Sequence, residues 1–339
     1  MSHPWELDGD RFSFADKRVL VTGGAGIVGF ELVLQLLAEH GPRLVRLFDQ
    51  NESALFFADQ RLRAVAPTQH VRTRYLMGDV RDRDRLVRAF EGIDVVLHTA
   101  ALKTVRLCEY NPFEAVRTNL IGVQNVMSAA LECGVKRVVC ASSDQAVNPV
   151  NVVGASKLLA ERLVSAAQQS SGSTTTAFTS VRFGEVLHKD SELIESLRDA
   201  LQTGQPIATP FEDATRYLLP LGEAARLFLS AAARARGGEV FVVRMPAVAL
   251  SELVTTLAQH LMPGKTPTFK VEASAIGEKA YDELLAEPER TRCYETDDFI
   301  VIDGKQREQP FAGAFRSDQT PRLEGGGLEA FLRLSGALS

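Results

Sequence analysis

The stretch TGGAGIVG, residues 22–29, constrains the fold more than any other part of this 339-residue chain. It follows the apolar run RVLV and leads into IVGFELVLQLLAEHG, whose apolar residues recur at three- and four-residue spacing before Gly41. A strand, a Gly-rich turn and a helix in that order bring free backbone N–H groups and positive potential to one point. Glycine has no Cβ to hold a diphosphate away. Gly23, Gly24, Gly26 and Gly29, with Ile27 and Val28, therefore predict a dinucleotide-binding turn. The second apolar run, RLVRLFD, ends at Asp49, about twenty residues beyond the glycines. A carboxylate there accepts hydrogen bonds from ribose hydroxyls and repels a 2′-phosphate. No Arg directly follows it, so NAD is expected rather than NADP. The same carboxylate could instead cap a helix. Asp79, in MGDVRD, is placed either to meet the adenine or to cap a helix; Val80 and Ala100 complete the expected cofactor contacts.

The strand patterns VRTRYLMGD, DVVLHTAA and KRVVCASS alternate with helical segments such as NESALFFADQRLRAV and NPFEAVRTNLIGVQNVMSAALECG. Such alternation predicts an α/β fold, a doubly wound parallel Rossmann sheet with helices on both faces. Beyond residue 175 the rhythm loosens. TAFTSVRFGEV reads as a sixth strand, SELIESLRDALQTG and LSELVTTLAQHL as helices, and GGEVFVVRMP and TPTFKVEA as short strands. The expected organisation is an NAD-binding domain over 16–175, which carries a candidate catalytic strip at 142–157. A small mixed substrate-binding region follows over 176–303, then a C-terminal tail over 304–339 with one weak helix.

Composition narrows the partners. The net charge is −5, and no basic run interleaves with aromatics, so nucleic acid is not expected. Four cysteines, none in a C-x-x-C pair, argue against zinc and for reduced thiols in the cytoplasm. The polar start MSHPWELDGDRFSFADKR is no signal peptide, and no apolar stretch reaches the ~18 residues of a membrane span. A homo-oligomer without membrane or metal is the expectation.

Several longer stretches carry a resemblance: HTAALKTVRLCEYNPFEAVRTNLIGVQNV, SSDQAVNPVNVVGASK, EDATRYLLPLGEAARLFL and IGEKAYDELLAEPERTRCYETDDFIVI. Over roughly residues 16–303 the chain resembles extended short-chain dehydrogenases of the polysaccharide-biosynthesis branch. These are the UDP-N-acetylglucosamine 4,6-dehydratases and related nucleotide-sugar epimerases. The resemblance implies a tightly held NAD(P) that takes hydride from the sugar C4. The 4-ketone so formed acidifies the C5 proton. Water then leaves C6 and hydride returns there, or C5 is reprotonated in epimerisation.

The family strip reads Ser-Thr-Asp-Lys where this chain has Ser142, Ser143, Asp144 and Gln145. By resemblance Asp144 matches the acid that protonates the leaving hydroxyl. Gln145 replaces the base Lys, and an amide neither gives nor takes a proton near neutral pH. Val153 stands where the usual Tyr would be, four residues before Lys157. Lys157 is retained and by resemblance binds the nicotinamide ribose. Ser143 is the remaining hydroxyl near the expected C4. Lys103 follows the fourth strand at the carboxyl edge, where such sheets bind ligands. Arg216 matches a family Arg near the diphosphate, although an ion pair with Glu212 or Asp213 would use the same guanidinium. Asn151 is placed among the substrate contacts, and Asn119 resembles a structural Asn. Glu185 stands where the family has Asn, and Ala275–Ile276 where it has Arg-Pro. His98, ending a buried strand, is expected to be structural; His188 is left open. The leading expectation is a 4,6-dehydratase-like reaction on a UDP-sugar. Epimerisation is the alternative, and a degenerate NAD-binding protein without activity the third.

Overall fold

The computed structural model describes residues 12–170, 176–209, 211, 213–264, 267–271 and 277–338. The Gly-rich turn joins strand β1 (Arg18–Thr22) to helix α1 (Ile27–Gln35). There follow β2 (Leu44–Asp49), α2 (Glu52–Val65), β3 (Thr73–Met77), α3 (Arg83–Phe90) and β4 (Val95–His98). Short helices α4 (Val105–Tyr110) and α5 (Pro112–Val116) lead through a π-helical turn into α6 (Gly122–Glu132). Next come β5 (Arg137–Ser143), α7 (Val152–Ser170), β6 (Ala177–Phe183), β7 (Glu185–Leu187) and α8 (Glu192–Thr203). The second half holds β8 (Ile207–Thr209), β9 (Thr215–Pro220), α9 (Leu221–Arg234), β10 (Val240–Val243), β11 (Ala247–Ala249) and α10 (Leu250–Leu261). Last are β12 (Phe269–Val271), β13 (Cys293–Glu295), β14 (Phe299–Ile302) and α11 (Gly325–Leu334).

The main sheet has nine strands in the order β13-β14-β10-β6-β5-β4-β1-β2-β3. It is parallel from β3 to β10; β14 and β13 close the far edge antiparallel. Strand order reverses at β1, where β2 lies on one side and β4 on the other, which opens a crevice at the carboxyl edge. The central strands are apolar on both faces because helices cover both. Val19 and Val21 pack with Phe30 and Val33 of α1, while Leu20 turns to the opposite layer with Phe90 and Val126. The stretch 16–175 supplies the strands β1 to β5; the remaining four come from beyond it.

One expected strand divides. TAFTSVRFGEV forms β6 in the main sheet, then leaves it at Gly184 to form β7, which pairs with β9 and through it β11. The departure needs glycine: a Cβ on Gly184 would lie 2.7 Å from the Tyr217 carbonyl. Periodicity sees one run of β-formers there and cannot see the change of partner. The tail is integral as well. Leu328 and Leu332 of α11 are buried with Leu253 and Leu257 of α10.

Candidate active site

Two hollows open at the carboxyl edge of the sheet. The first, about 360 Å³, is lined by Gly23, Gly26, Ile27, Val28, Gly29, Asp49, Asp79, Val80 and Ala100. Backbone builds it. Gly23 has φ +65°, and a Cβ there would lie 2.8 Å from the Ala100 nitrogen. A Cβ on Gly29 would lie 2.2 Å from the Gly23 carbonyl, so α1 can start this close only without one. Gly24 stands behind the hollow, where a Cβ would meet the Val21 carbonyl at 2.8 Å. Asp49 is no helix cap: its Oδ2 accepts from Ala25 N–H at 3.2 Å and its Oδ1 from Asn51 N–H at 3.0 Å. Asn51 caps α2 instead. Asp79 likewise caps nothing, since Asp82 caps α3. Burial pushes the Asp79 carboxyl up, but hydrogen bonds from Arg81 outweigh it and hold the group below the usual range.

The second hollow, about 480 Å³, abuts the first at Lys103, which lines both. Its walls come from stretches far apart in sequence: Lys103–Arg106, Ser143–Gln145 with Asn151, Gly184 and Glu185, Glu192, Arg216, and Gly277–Asp282. Asp144 lies at its inner wall, 6% exposed. Ser143 Oγ donates to Asp144 Oδ1 at 2.7 Å and accepts from Gln145 N–H at 3.2 Å. Burial first, then the neighbouring Asp282 charge, pushes the Asp144 carboxyl well above its ordinary range. Glu185 is also raised, by burial, although Lys103 pulls it down.

Other expected residues take different places. Arg216 lines the cleft but is engaged: Nη1 donates to the Thr215 carbonyl at 2.9 Å and Nη2 to Glu278 at 3.2 Å. Glu212, Ala275 and Ile276 lie outside the described residues. Asn151 uses its amide structurally, accepting from Gly154 N–H at 2.7 Å and donating to the Gly277 carbonyl at 2.8 Å. It thereby pins the loop that carries Asp282 to the start of α7. Lys157 is withdrawn from the cleft. Its Nζ donates to the Ala141 carbonyl at 2.9 Å in a small cavity that meets the first hollow at Ala100 and Ala101. Burial lowers its pKa. Asn119 clamps Leu102 on both backbone atoms at 2.8 Å, fixing the loop that presents Lys103. His98 is buried with Nδ1 on Thr22 Oγ1 at 2.7 Å, and burial lowers its pKa to about 3. His188 lies in another groove, beside Lys189 and Asp190. Val153 is buried in an apolar cluster with Cys108 and Ala115.

Asp282 was not singled out in the sequence. It sits in the non-periodic run GEKAYDELL, where no pattern marks one carboxylate over another. The signal available was the membership of that run among the distinctive stretches.

A doubly wound sheet with a glycine crevice and an adjoining polar cleft defines a dinucleotide-dependent enzyme fold of the short-chain dehydrogenase type. The chain belongs to the polysaccharide biosynthesis protein family, whose model matches residues 19–304. It is 43% identical over 294 residues to an uncharacterized membrane protein of Methanocaldococcus jannaschii, covering 85% of this chain and 86% of that one. It is 32% identical over 291 residues to a UDP-N-acetylglucosamine 4,6-dehydratase (inverting) of Campylobacter jejuni, covering 85% and 83%. It is 30% identical over 305 residues to a UDP-glucose 4-epimerase of Rickettsia canadensis, covering 89% and 87%. Among solved structures, Pen of Bacillus thuringiensis superposes with a TM-score of 0.88 at 36% identity, covering 96% of this chain and 99% of that one. A dTDP-glucose 4,6-dehydratase of Streptomyces venezuelae, solved with NAD bound, gives 0.63 at 25% identity, covering 72% and 81%. Among the described residues no helix is long and apolar enough to cross a membrane, and no group of three or more His, Cys, Asp or Glu is placed to hold a metal.

Proposed function

We propose that this protein is an NAD-dependent nucleotide-sugar-modifying enzyme whose reaction is 4,6-dehydration of a UDP-N-acetylhexosamine or a close analogue. The observation that carries the reading is Asp144: a buried carboxyl that lines a cleft opening beside the dinucleotide hollow, its pKa raised by burial and by the Asp282 charge. Elimination of a C6 hydroxyl needs an acid at that place, because hydroxide is a poor leaving group. The glycine turn and Asp49 would hold the cofactor, which when bound supplies reversible acceptance of hydride from the sugar C4. Lys157, beside Ala100, would meet its ribose. Ser143 donates to Asp144 Oδ1 at 2.7 Å and so fixes the orientation of the carboxyl. Lys103, at the junction of the two hollows, and Arg216 would take the diphosphate charge. For Arg216 this means leaving Glu278.

Gln145 favours a second reading. A C4 or C5 epimerisation through the same 4-ketone needs no C6 acid and is less hampered by the absent Lys; the Rickettsia relative carries an epimerase name. We also place the protein in the cytoplasm, as its four cysteines are free thiols, suited to a reducing compartment. We propose a homo-oligomer too, on the strength of Tyr110 and Phe113, exposed 86% and 81% on α4 and α5. The test is incubation with a panel of nucleotide sugars, read by mass spectrometry and NMR. Loss of one water is expected. Unchanged mass with a new stereochemical pattern replaces the reading with epimerisation, and no turnover on any sugar overturns both.

A further inference from the structure

The cleft holds a carboxylate that neither the strip motif nor the dehydration scheme accounts for. The carboxyls of Asp282 and Asp144 act on each other's charge. Both line the same cleft. Asp282 is not loose: its Oδ2 accepts from Tyr217 N–H at 2.9 Å, so β9 fixes it against the end of β5. Gly184 keeps the space open on the other side, where a Cβ would lie 3.2 Å from Asp144 Oδ2.

Two carboxylates buried in one cleft disfavour each other's ionised form unless cations compensate them. The cations here are largely engaged elsewhere. Arg216 reaches Asp282 only at 3.9 Å and bonds Glu278 at 3.2 Å. Lys279 bonds the Val147 carbonyl and pairs with Glu283 at 3.5 Å. Lys103 acts on Glu185, which itself adds negative charge beside Asp144 and is crowded further by Glu192. Ser143 and the Gln145 N–H act in the other direction, favouring ionised Asp144. Burial tips the balance toward retaining a proton on the pair.

We propose that Asp144 and Asp282 hold one proton between them at neutral pH, with Asp282 the positioning residue that keeps Asp144 in its acid form. The inference rests on the dehydratase reading for its catalytic meaning, though not for its existence. It also addresses the loss of the strip Lys at Gln145. In the elimination the Asp144 O–H proton goes to the departing C6 oxygen and the C6–O bond breaks to release water. The C5–H bond breaks to form the C5=C6 double bond, and its proton passes to the pair. One proton is held before and after, so the elimination itself requires no further base.

The test is a pH titration of the side-chain carboxyls by infrared difference spectroscopy or carbon-labelled aspartate NMR, on NAD-loaded protein without sugar. Wild type should show one carboxylic acid persisting at neutral pH. Asp282→Asn removes the neighbouring charge but keeps an acceptor for Tyr217 N–H, so Asp144 should ionise about one pH unit lower or more. Asp144→Asn should release Asp282 reciprocally, and Asp282→Glu, which retains the charge, should restore the wild-type titration. In turnover, activity needs protonated Asp144 and falls as pH rises through its pKa. The alkaline limb of kcat should therefore move to lower pH in Asp282→Asn, with KM changed by less than about threefold. If neither Asn variant moves the other carboxyl, or if the persistent acid is absent in wild type, the pair is overturned. A shifted titration with no turnover on any nucleotide sugar overturns the dehydratase reading alone. Should Asp282→Asn not fold, the Asp144→Asn and Asp282→Glu titrations decide the same question.

Discussion

The two hollows of the active site are built in opposite ways. The cofactor hollow is backbone: glycines, a helix start and the ends of adjacent strands, supplied by one continuous stretch from residue 23 to residue 118. The second hollow, which we propose takes the sugar, is side chain. It takes its walls from stretches as far apart as Lys103 and Asp282, and carboxylates dominate its inner part. Backbone geometry tolerates little change, because a single methyl group collides with a carbonyl. A side-chain cleft can exchange one group for another without disturbing the fold. Of the departures from the family pattern, Gln145 and Glu185 lie in the cleft and Val153 lies behind it in an apolar cluster, whereas all four turn glycines are intact.

The sharpest way to test this division is Asp144→Asn. The amide keeps the shape and loses the acid, so turnover should fall by ~10²–10⁴ while NAD affinity changes by less than about threefold. Single-turnover rates and calorimetric NAD binding measure the two sides separately. A variant that keeps more than about a tenth of the rate would remove Asp144 from the chemistry.

The converse is Gly29→Ala. Its Cβ would lie 2.2 Å from the Gly23 carbonyl, so α1 or the turn must shift. Overpacking of this kind costs about 1–3 kcal/mol, which corresponds to a loss of roughly 5- to 150-fold in NAD affinity if the strain falls on the binding conformation. The melting temperature without cofactor separates strain on the fold from strain on the site. Unchanged NAD affinity would mean that the turn is not the cofactor's seat.

How much of this was legible in the sequence follows the same division. Gly23 to Gly29, Asp49 and the alternation up to β5 could be read because each signal is local and periodic. The capping alternative for Asp49 and Asp79 falls away, because Asn51 and Asp82, two and three residues on, hold the helix starts; several acceptors in one turn compete for that role. The split of β6 from β7 at Gly184 escaped because a change of sheet leaves no mark on side-chain alternation. Asp282 escaped because its meaning lies wholly in the cleft that it shares with a residue 138 positions away, as the numbering of Asp144 and Asp282 shows. For Arg216 the sequence offers a diphosphate or a pair with Glu212 or Asp213, whereas its guanidinium bonds Glu278, sixty-two positions on, which no local pattern marks.

A smaller effect is expected from Gln145→Lys. Gln145 is half-buried in the cleft, with its amide only 3.4 Å from Asn151, so a longer side chain displaces little. An ammonium there would restore the family pattern beside Asp144, and dehydration should rise by about tenfold, less than the ~10²–10⁴ of a general base in an optimised site. Equal rates in wild type and variant would show that the proton route does not pass through this position. Glu185, with its raised pKa and its place on the cleft wall, is then the first group to replace by Gln.

The smallest effect on turnover belongs to Val153→Tyr, although by motif it looks like the most direct repair. A Tyr four residues before Lys157 would complete the usual short-chain dehydrogenase pair. In the structure the Val153 side chain is 2% exposed and packs with Cys108 and Ala115, against Leu102 and Val105. It is not among the residues that line the cleft. A Tyr must either force its ring into that cluster, at about 1–3 kcal/mol of overpacking, or swing out and leave the cluster unfilled. Neither places a hydroxyl beside Asp144 without moving the start of α7. That start is tied by the Asn151 bonds to Gly154 and Gly277 and by the 2.6 Å bond from Val152 N–H to Glu109. The expected result is a lower melting temperature and a turnover within about twofold of wild type. A gain of tenfold or more, with the phenol titrating in the pH profile, would show that the cleft accepts a Tyr there. The contrast drawn between a fixed cofactor hollow and a replaceable sugar cleft would then extend to the first turn of α7.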